Sequence, residues 1–130
     1  MKKENPVVWF EIYVDDLKRA KKFYETVFQL KLTEMPMPAS AEGSMKMLCF
    51  PSNMESKNSA SGALVKMEGF KPGNNSTIVY FMSEDCSIEE ARIKDAGGKV
   101  SKSKVSLGDY GNMVLATDTE GNMIGIHSMK

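Results

Sequence analysis

What this sequence has little of narrows what it can be. No apolar run in its 130 residues approaches the ~20 that a membrane-spanning helix requires. Charge of one sign is missing too, because 17 basic residues balance 17 acidic ones. Nucleic acid and anionic membrane surfaces both select a concentrated basic face, so neither is expected as a main partner. The start, Met1-Lys2-Lys3-Glu4-Asn5-Pro6, has basic residues but no apolar segment after them, which is not the pattern of a secretory signal. Cysteine is scarce. Cys49 and Cys86 show no metal-ligand spacing and sit in an apolar run and at a helix start, as reduced thiols of a cytoplasmic protein would. There is one histidine and one tryptophan.

What is present is one motif written twice. Trp9-Phe10-Glu11-Ile12-Tyr13-Val14-Asp15-Asp16 and Ile78-Val79-Tyr80-Phe81-Met82-Ser83-Glu84-Asp85 each run from an apolar, aromatic strand into two acidic residues and then a helical pattern. The spacing is constant, since 78 − 9 and 85 − 16 are both 69. Modules of about 65 residues would be marginal alone, whereas a chain of this length buries roughly two-thirds of its unfolded surface, so a shared core is expected. The reading is one domain over 1–130: module one at about 6–67, a Gly- and Pro-containing linker at 68–75, and module two at about 76–130. Two such modules imply a pseudo-symmetric pair of sheets with a groove between them.

In module one, Val7 to Val14 forms the first strand, with Val8, Phe10, Ile12 and Val14 on one face and Trp9, Glu11 and Tyr13 on the other. The uniformly apolar face should pack under the helix, leaving Trp9, Glu11 and Tyr13 on the groove side. Asp15 or Asp16 caps a helix over Leu17 to Phe28, where Leu17, Ala20, Phe23, Tyr24 and Val27 recur at helical spacing. Lys18, Arg19, Lys21 and Lys22 make its wet face. Strands follow at Lys31–Met35, Met45–Phe50 and Gly62–Met67, separated by a Pro36/Pro38 turn and a polar loop over Ser52–Ser61. Module two repeats the plan: a strand at Thr77–Met82, a helix from Ser87 to Ala96 stopped by Gly97-Gly98, and strands at Lys99–Val105, Asn112–Thr117 and Met123–Met129. Gly108-Asp109-Tyr110-Gly111 and Asp118-Thr119-Glu120-Gly121-Asn122 are its turns.

Several of these pieces together resemble the vicinal oxygen chelate superfamily, the glyoxalase, bleomycin-resistance and extradiol-dioxygenase fold. They are Val14-Asp15-Asp16-Leu17 through Arg19-Ala20, Phe23-Tyr24 and Val27-Phe28, then Gly97-Gly98, then Asp118 to Asn122. The resemblance covers nearly the whole chain. It implies an α+β fold of two βαβββ modules making a curved sheet around a central site, and a homodimer. In metal-dependent members each module supplies ligands from its first and last strands. Those positions fall here on Trp9, Ile78, Gly125 and Ala63 or Leu64, none of which offers the carboxylate or imidazole that such a metal requires. No cofactor is therefore expected, and isomerase or dioxygenase chemistry of the family's kind is put in doubt.

Two groups remain for chemistry. Glu11 is a carboxylate on the groove face, and His127 shares a face with Gly125 two residues before it. Glu11 and His127 used as acid/base or metal-binding groups, with or without a metal, would make a glyoxalase-related lyase or isomerase. The competing reading is a binding protein that holds a small apolar or planar molecule, its groove lined by Trp9, Tyr13, Ile78, Tyr80, Met82, Met123 and Gly125. The eleven methionines suit a soft cavity as well as a core. Loss of every mapped metal position favours binding over turnover.

Overall fold

A run of alternating residues closes one face of each module before any helix is considered. A computed structural model describes residues 5, 7, 9–35, 45–52 and 60–130. Strand β1 (Trp9–Tyr13) leads to helix α1 (Leu17–Phe28), and strands β2 (Thr33–Glu34), β3 (Met45–Cys49) and β4 (Ser61–Met67) complete module one. Module two repeats this as β5 (Val79–Met82), α2 (Cys86–Ile93), β6 (Lys99–Ser106), β7 (Asn112–Thr117) and β8 (Met123–Ser128). The sheets have the same order, β1-β4-β3-β2 and β5-β8-β7-β6, so the expected α+β pair of βαβββ modules is what forms. Each first strand runs parallel to the last strand of its own module, which the helix makes possible by carrying the chain across. Val8, the Pro36/Pro38 turn and most of the Ser52–Ser61 loop lie outside the described residues.

The alternation in β1 falls as its sequence requires. Ile12 and Val14 are buried and Phe10 packs against the core, while Trp9 and Glu11 are exposed. Helix α1 occupies the expected Leu17–Phe28 and buries Ala20, Phe23, Tyr24 and Val27; Asp16 is its cap, accepting from the Arg19 N–H. Helix α2 differs. It begins at Cys86 under an Asp85 cap, and its regular part stops at Ile93 rather than Ala96. The Ala96 N–H still bonds to the Arg92 carbonyl, and the left-handed turn that ends the segment falls on Gly97, with φ 98°.

One core serves both modules. It draws Ile12, Phe23, Tyr24, Val27 and Leu64 from the first and Ile93, Val114, Ala116, Ile124 and Ile126 from the second. Phe81 of β5 stacks on Phe28 of α1 with ring centroids 4.3 Å apart and meets Tyr24 and Phe50 as well. The second link is polar. Asp118 accepts the Tyr24 hydroxyl at 2.6 Å and the N–H groups of Glu120 and Asn122. Asn122 donates to the Tyr13 carbonyl, and Glu120 accepts from the N–H groups of Asp15 and Asp16 while its carboxylate grips Arg19 at 2.7 Å. The turn after β7 thus completes the start of α1. Arg19, which the helical pattern placed on the wet face with its lysine neighbours, is half-exposed yet tied to the other module.

Candidate functional site

Among the described residues the helices cover one face of each sheet and leave the other open. On module two the open face holds Tyr80 and Met82 from β5, Met113 from β7 and His127 from β8. With Phe81 and with Leu107 and Tyr110 from the β6–β7 connection, they line an open cavity of about 580 Å³. Three of these side chains are unusually exposed for their apolarity: Met82 at 92%, Tyr110 at 79% and Tyr80 at 48%. The Tyr80 ring lies flat on β8 directly over its register partner Gly125, where a Cβ would overlap the ring. Gly125 therefore acts by absence: it lets an aromatic ring form the floor. His127 directs its Nε2 at the Tyr110 carbonyl, 2.6 Å away. A carbonyl only accepts, so Nε2 carries the hydrogen and pins the Gly108–Tyr110 turn over the cavity edge.

Module one presents a different open face. The Glu11 carboxylate accepts from the Trp9 indole N–H at 3.1 Å and from the Tyr13 hydroxyl at 2.6 Å. Hydrogen bonding to Glu11, desolvation and the carboxylate charge together push the Tyr13 hydroxyl up to about 12. Phe70, from the linker, stacks on Tyr13 with centroids 5.1 Å apart. Beneath them lies a small apolar bed of Met47, Ala63 and Val65, flanked by Met45, Cys49 and Met67. Burial raises the Cys49 thiol, so this cysteine is a packed side chain in its neutral form; both cysteines are free.

The residues singled out from sequence thus divide. Tyr80, Met82 and His127 line the cavity, and Gly125 lies under its floor. Trp9, Glu11 and Tyr13 form a hydrogen-bonded set of their own on the other sheet, outside that lining. Ile78, just before β5, and Met123, at the start of β8, are half-buried and outside it as well. Glu11 and His127 are on different sheets with different partners, Glu11 held by Trp9 and Tyr13 and His127 by Tyr110. Sequence reading missed Leu107, Tyr110, Met113 and Phe70. The available signal was an aromatic residue between glycines, in Gly108-Asp109-Tyr110-Gly111 and Gly69-Phe70, where folding alone has no use for one.

The metal positions of the resembling family were tested on donor chemistry. Trp9, Ile78, Ala63 and Gly125 provide no coordinating oxygen or imidazole, so the residues there do not fit a divalent ion. Among the described residues no group of three or more His, Cys, Asp and Glu side chains gathers, and no helix is long and apolar enough to cross a membrane.

Known proteins bear on the fold. The bleomycin resistance protein-like N-terminal family model matches residues 7–41. No curated protein matches the chain. Among solved structures, a point mutant of glyoxalase I from Zea mays superposes with a TM-score of 0.74 at 21% identity, over 95% of this chain and 46% of that one. The chain therefore spans less than half of the maize enzyme. TnmS3, an antibiotic binding protein from Streptomyces sp. CB03234, gives 0.70 at 22% identity over 98% of each chain. A glyoxalase/bleomycin resistance protein from the same Streptomyces gives 0.64 at 22% identity, over 94% of this chain and 99% of that one. With two βαβββ modules in matching strand order and these superpositions, the chain has the fold of the glyoxalase and bleomycin-resistance proteins, and the family model matches part of its first module.

Proposed function

We propose that the protein binds a small apolar, planar molecule in the module-two cavity and does so without a metal. The observation that carries this reading is the exposure of Tyr80, Met82 and Tyr110 around one open space. Large apolar side chains left in water cost stability unless something covers them. Two tyrosine rings and thioethers suit a flat ligand, with His127 and the tyrosine hydroxyls as polar handles at the rim. The likeness to an antibiotic binding protein, which matches over nearly its whole length, supports the same reading. Nothing brings Glu11 to His127, so an acid/base reaction through that pair has no geometric support.

The same reading takes the protein as a cytoplasmic homodimer. Strands β1 and β5 are sheet edges, and a second copy would cover them. Sedimentation of the 14.4 kDa chain at micromolar concentration tests this, and a purely monomeric species would remove it. Elemental analysis should find no stoichiometric divalent metal; one metal per chain lost on Glu11→Gln or His127→Ala would overturn that part.

For the ligand itself, a panel of planar aromatic compounds should include members that raise the melting temperature. A ligand at ~100 times its dissociation constant adds ~2.7 kcal/mol to stability. Tyr80→Ala and Met82→Ala should remove the shift. Stabilisation that survives both substitutions would place the ligand elsewhere.

A further inference from the structure

The two faces of the β3–β4 pair differ in composition. One carries Leu48 and Leu64 into the shared core, as apolar packing requires. The other carries sulfur. Met45, Met47 and Cys49 alternate along β3, so all three side chains stand on the same face of the sheet. Met67 of β4 is the register partner of Met45, which brings a fourth sulfur to that face. The four gather on one group: Met47 is buried with Ala63 and Val65, and Met45, Cys49 and Met67 pack against them. Cys49 is a free thiol, and its register partner Ala63 sets only a methyl beside it. Met45, Cys49 and Met67 are half-buried, so the group is open to a small ion from solvent.

We propose that Met45, Met47, Cys49 and Met67 form a binding site for a soft monovalent metal ion, copper(I). Thioether and thiolate sulfurs select copper(I), whereas hard ions require oxygen donors. Methionine is unbranched with three rotatable bonds, so these thioethers can turn onto an ion beside Cys49 without moving β3 or β4. On binding, the Cys49 S–H bond gives way to an S–Cu bond and the proton leaves to solvent. Copper stays copper(I), and nothing is oxidised. One thiolate and one monovalent cation leave no net charge, which suits a site floored by Met47, Ala63 and Val65. A divalent ion would leave one positive charge uncompensated there. Among the described residues no three His, Cys, Asp or Glu side chains gather, so zinc finds no set of its own. The donors come from β3 and β4 alone. Strand β4 stands between β3 and the β1 edge, so a second copy covering that edge neither supplies nor removes a donor.

The test uses the reduced, full-length protein under anaerobic conditions, competing for copper(I) with the coloured chelator bicinchoninate. The expected result is one equivalent of copper(I) taken from the chelator per chain, with no matching uptake of zinc(II). Cys49→Ser should abolish uptake. Met45→Leu and Met47→Leu conserve volume and apolar character, yet each should weaken copper by about tenfold or more, no less than loss of a supporting group does. Circular dichroism and melting temperature of the copper-free variants should match the parent, which separates a lost donor from a damaged fold. Cys86→Ala, at the other thiol, should leave uptake as it was. So should Tyr80→Ala, on the other sheet, and the copper site and the apolar cavity therefore fail independently. No uptake, tight binding retained in Cys49→Ser, or full affinity in both methionine variants would overturn the proposal; the last would reduce the site to a lone thiol. So would half an equivalent per chain, because the ion would then bridge two copies.

Discussion

The two modules share a strand order but not a way of holding their helices. The N-terminus of α1 is completed from outside its own module: Glu120 takes the N–H groups of Asp15 and Asp16 and pairs with Arg19. The N-terminus of α2 is completed from within. Ser128 accepts the Cys86 N–H, Asp85 caps Ser87, and Lys104 pairs with Asp85. Helix α1 is 12 residues long and buries four of them, whereas α2 has 8 and buries two. The longer, more buried helix is the one that depends on its neighbour. A repeat in sequence therefore does not imply two self-sufficient halves, and module one is the more dependent.

Removing Asp118 should have the largest effect. Asp118→Ala strands the buried Tyr24 hydroxyl and two backbone N–H groups, at a cost of about 3 kcal/mol or more in urea unfolding. A loss below about 1 kcal/mol would mean that the Asp118 bonds contribute little to holding the modules together. Next come two glycines that look equivalent. Gly62 faces the Phe10 ring on the core side, and Gly125 faces the Tyr80 ring on the open side. Gly62→Ala should cost about 1–3 kcal/mol, as overpacked cores do, while Gly125→Ala should cost less because Tyr80 can swing outward. The second variant should instead lose ligand binding in the cavity. Equal stability losses for the pair would show that Tyr80 is as confined as Phe10.

Smaller effects separate the two ion pairs. Burial works to raise the Glu120 carboxyl, but hydrogen bonds from Arg19, Thr119 and the N–H groups of Asp16 and Asp15 outweigh it and hold it at about 2, against 4.5 ordinarily. For Asp85 the Ser87 hydroxyl and then Lys104 do the same, to about 2 from 3.8. Both groups have folded values below their unfolded ones. Each therefore contributes stability above pH 3.8 to 4.5 that is lost as the pH falls toward 2. Glu120→Gln should cost about 1 kcal/mol at neutral pH, since Arg19 is half in solvent, and should flatten the acid limb of the stability curve. Asp85→Asn should flatten it less, because its pair lies at the surface of one module. The reverse order would make the inter-module contact the weaker one.

How much of this was open to a reader of the sequence depends on the distance over which each signal acts. Leu17–Phe28 was bounded correctly because its cap and its apolar stripe are local. The face assignment in β1 held for the same reason, since Phe10, Ile12 and Val14 differ from Glu11 within one strand. The Asp118–Asn122 turn looked like a turn and is one. Its bonds to Tyr24, Tyr13 and Asp15 reach across most of the chain, and no spacing rule announces them. Arg19 was misjudged because a helical wheel shows which side a residue faces but not that another module stands there. Phe70 and Tyr110 were passed over inside Gly-containing segments, where turn chemistry hid their exposure.

The bond from Asn122 to the Tyr13 carbonyl joins residues 109 apart in the chain. During synthesis β1 and α1 emerge long before β7 and β8, and the start of α1 must wait with unmet N–H groups until the Asp118 turn arrives. Folding of module one should therefore finish only with module two, as a single late event. Contacts this distant in sequence also slow refolding. A pulse-labelled chain stopped after Met67 should leave the amides of Asp15 and Asp16 open to exchange, where the complete chain protects them.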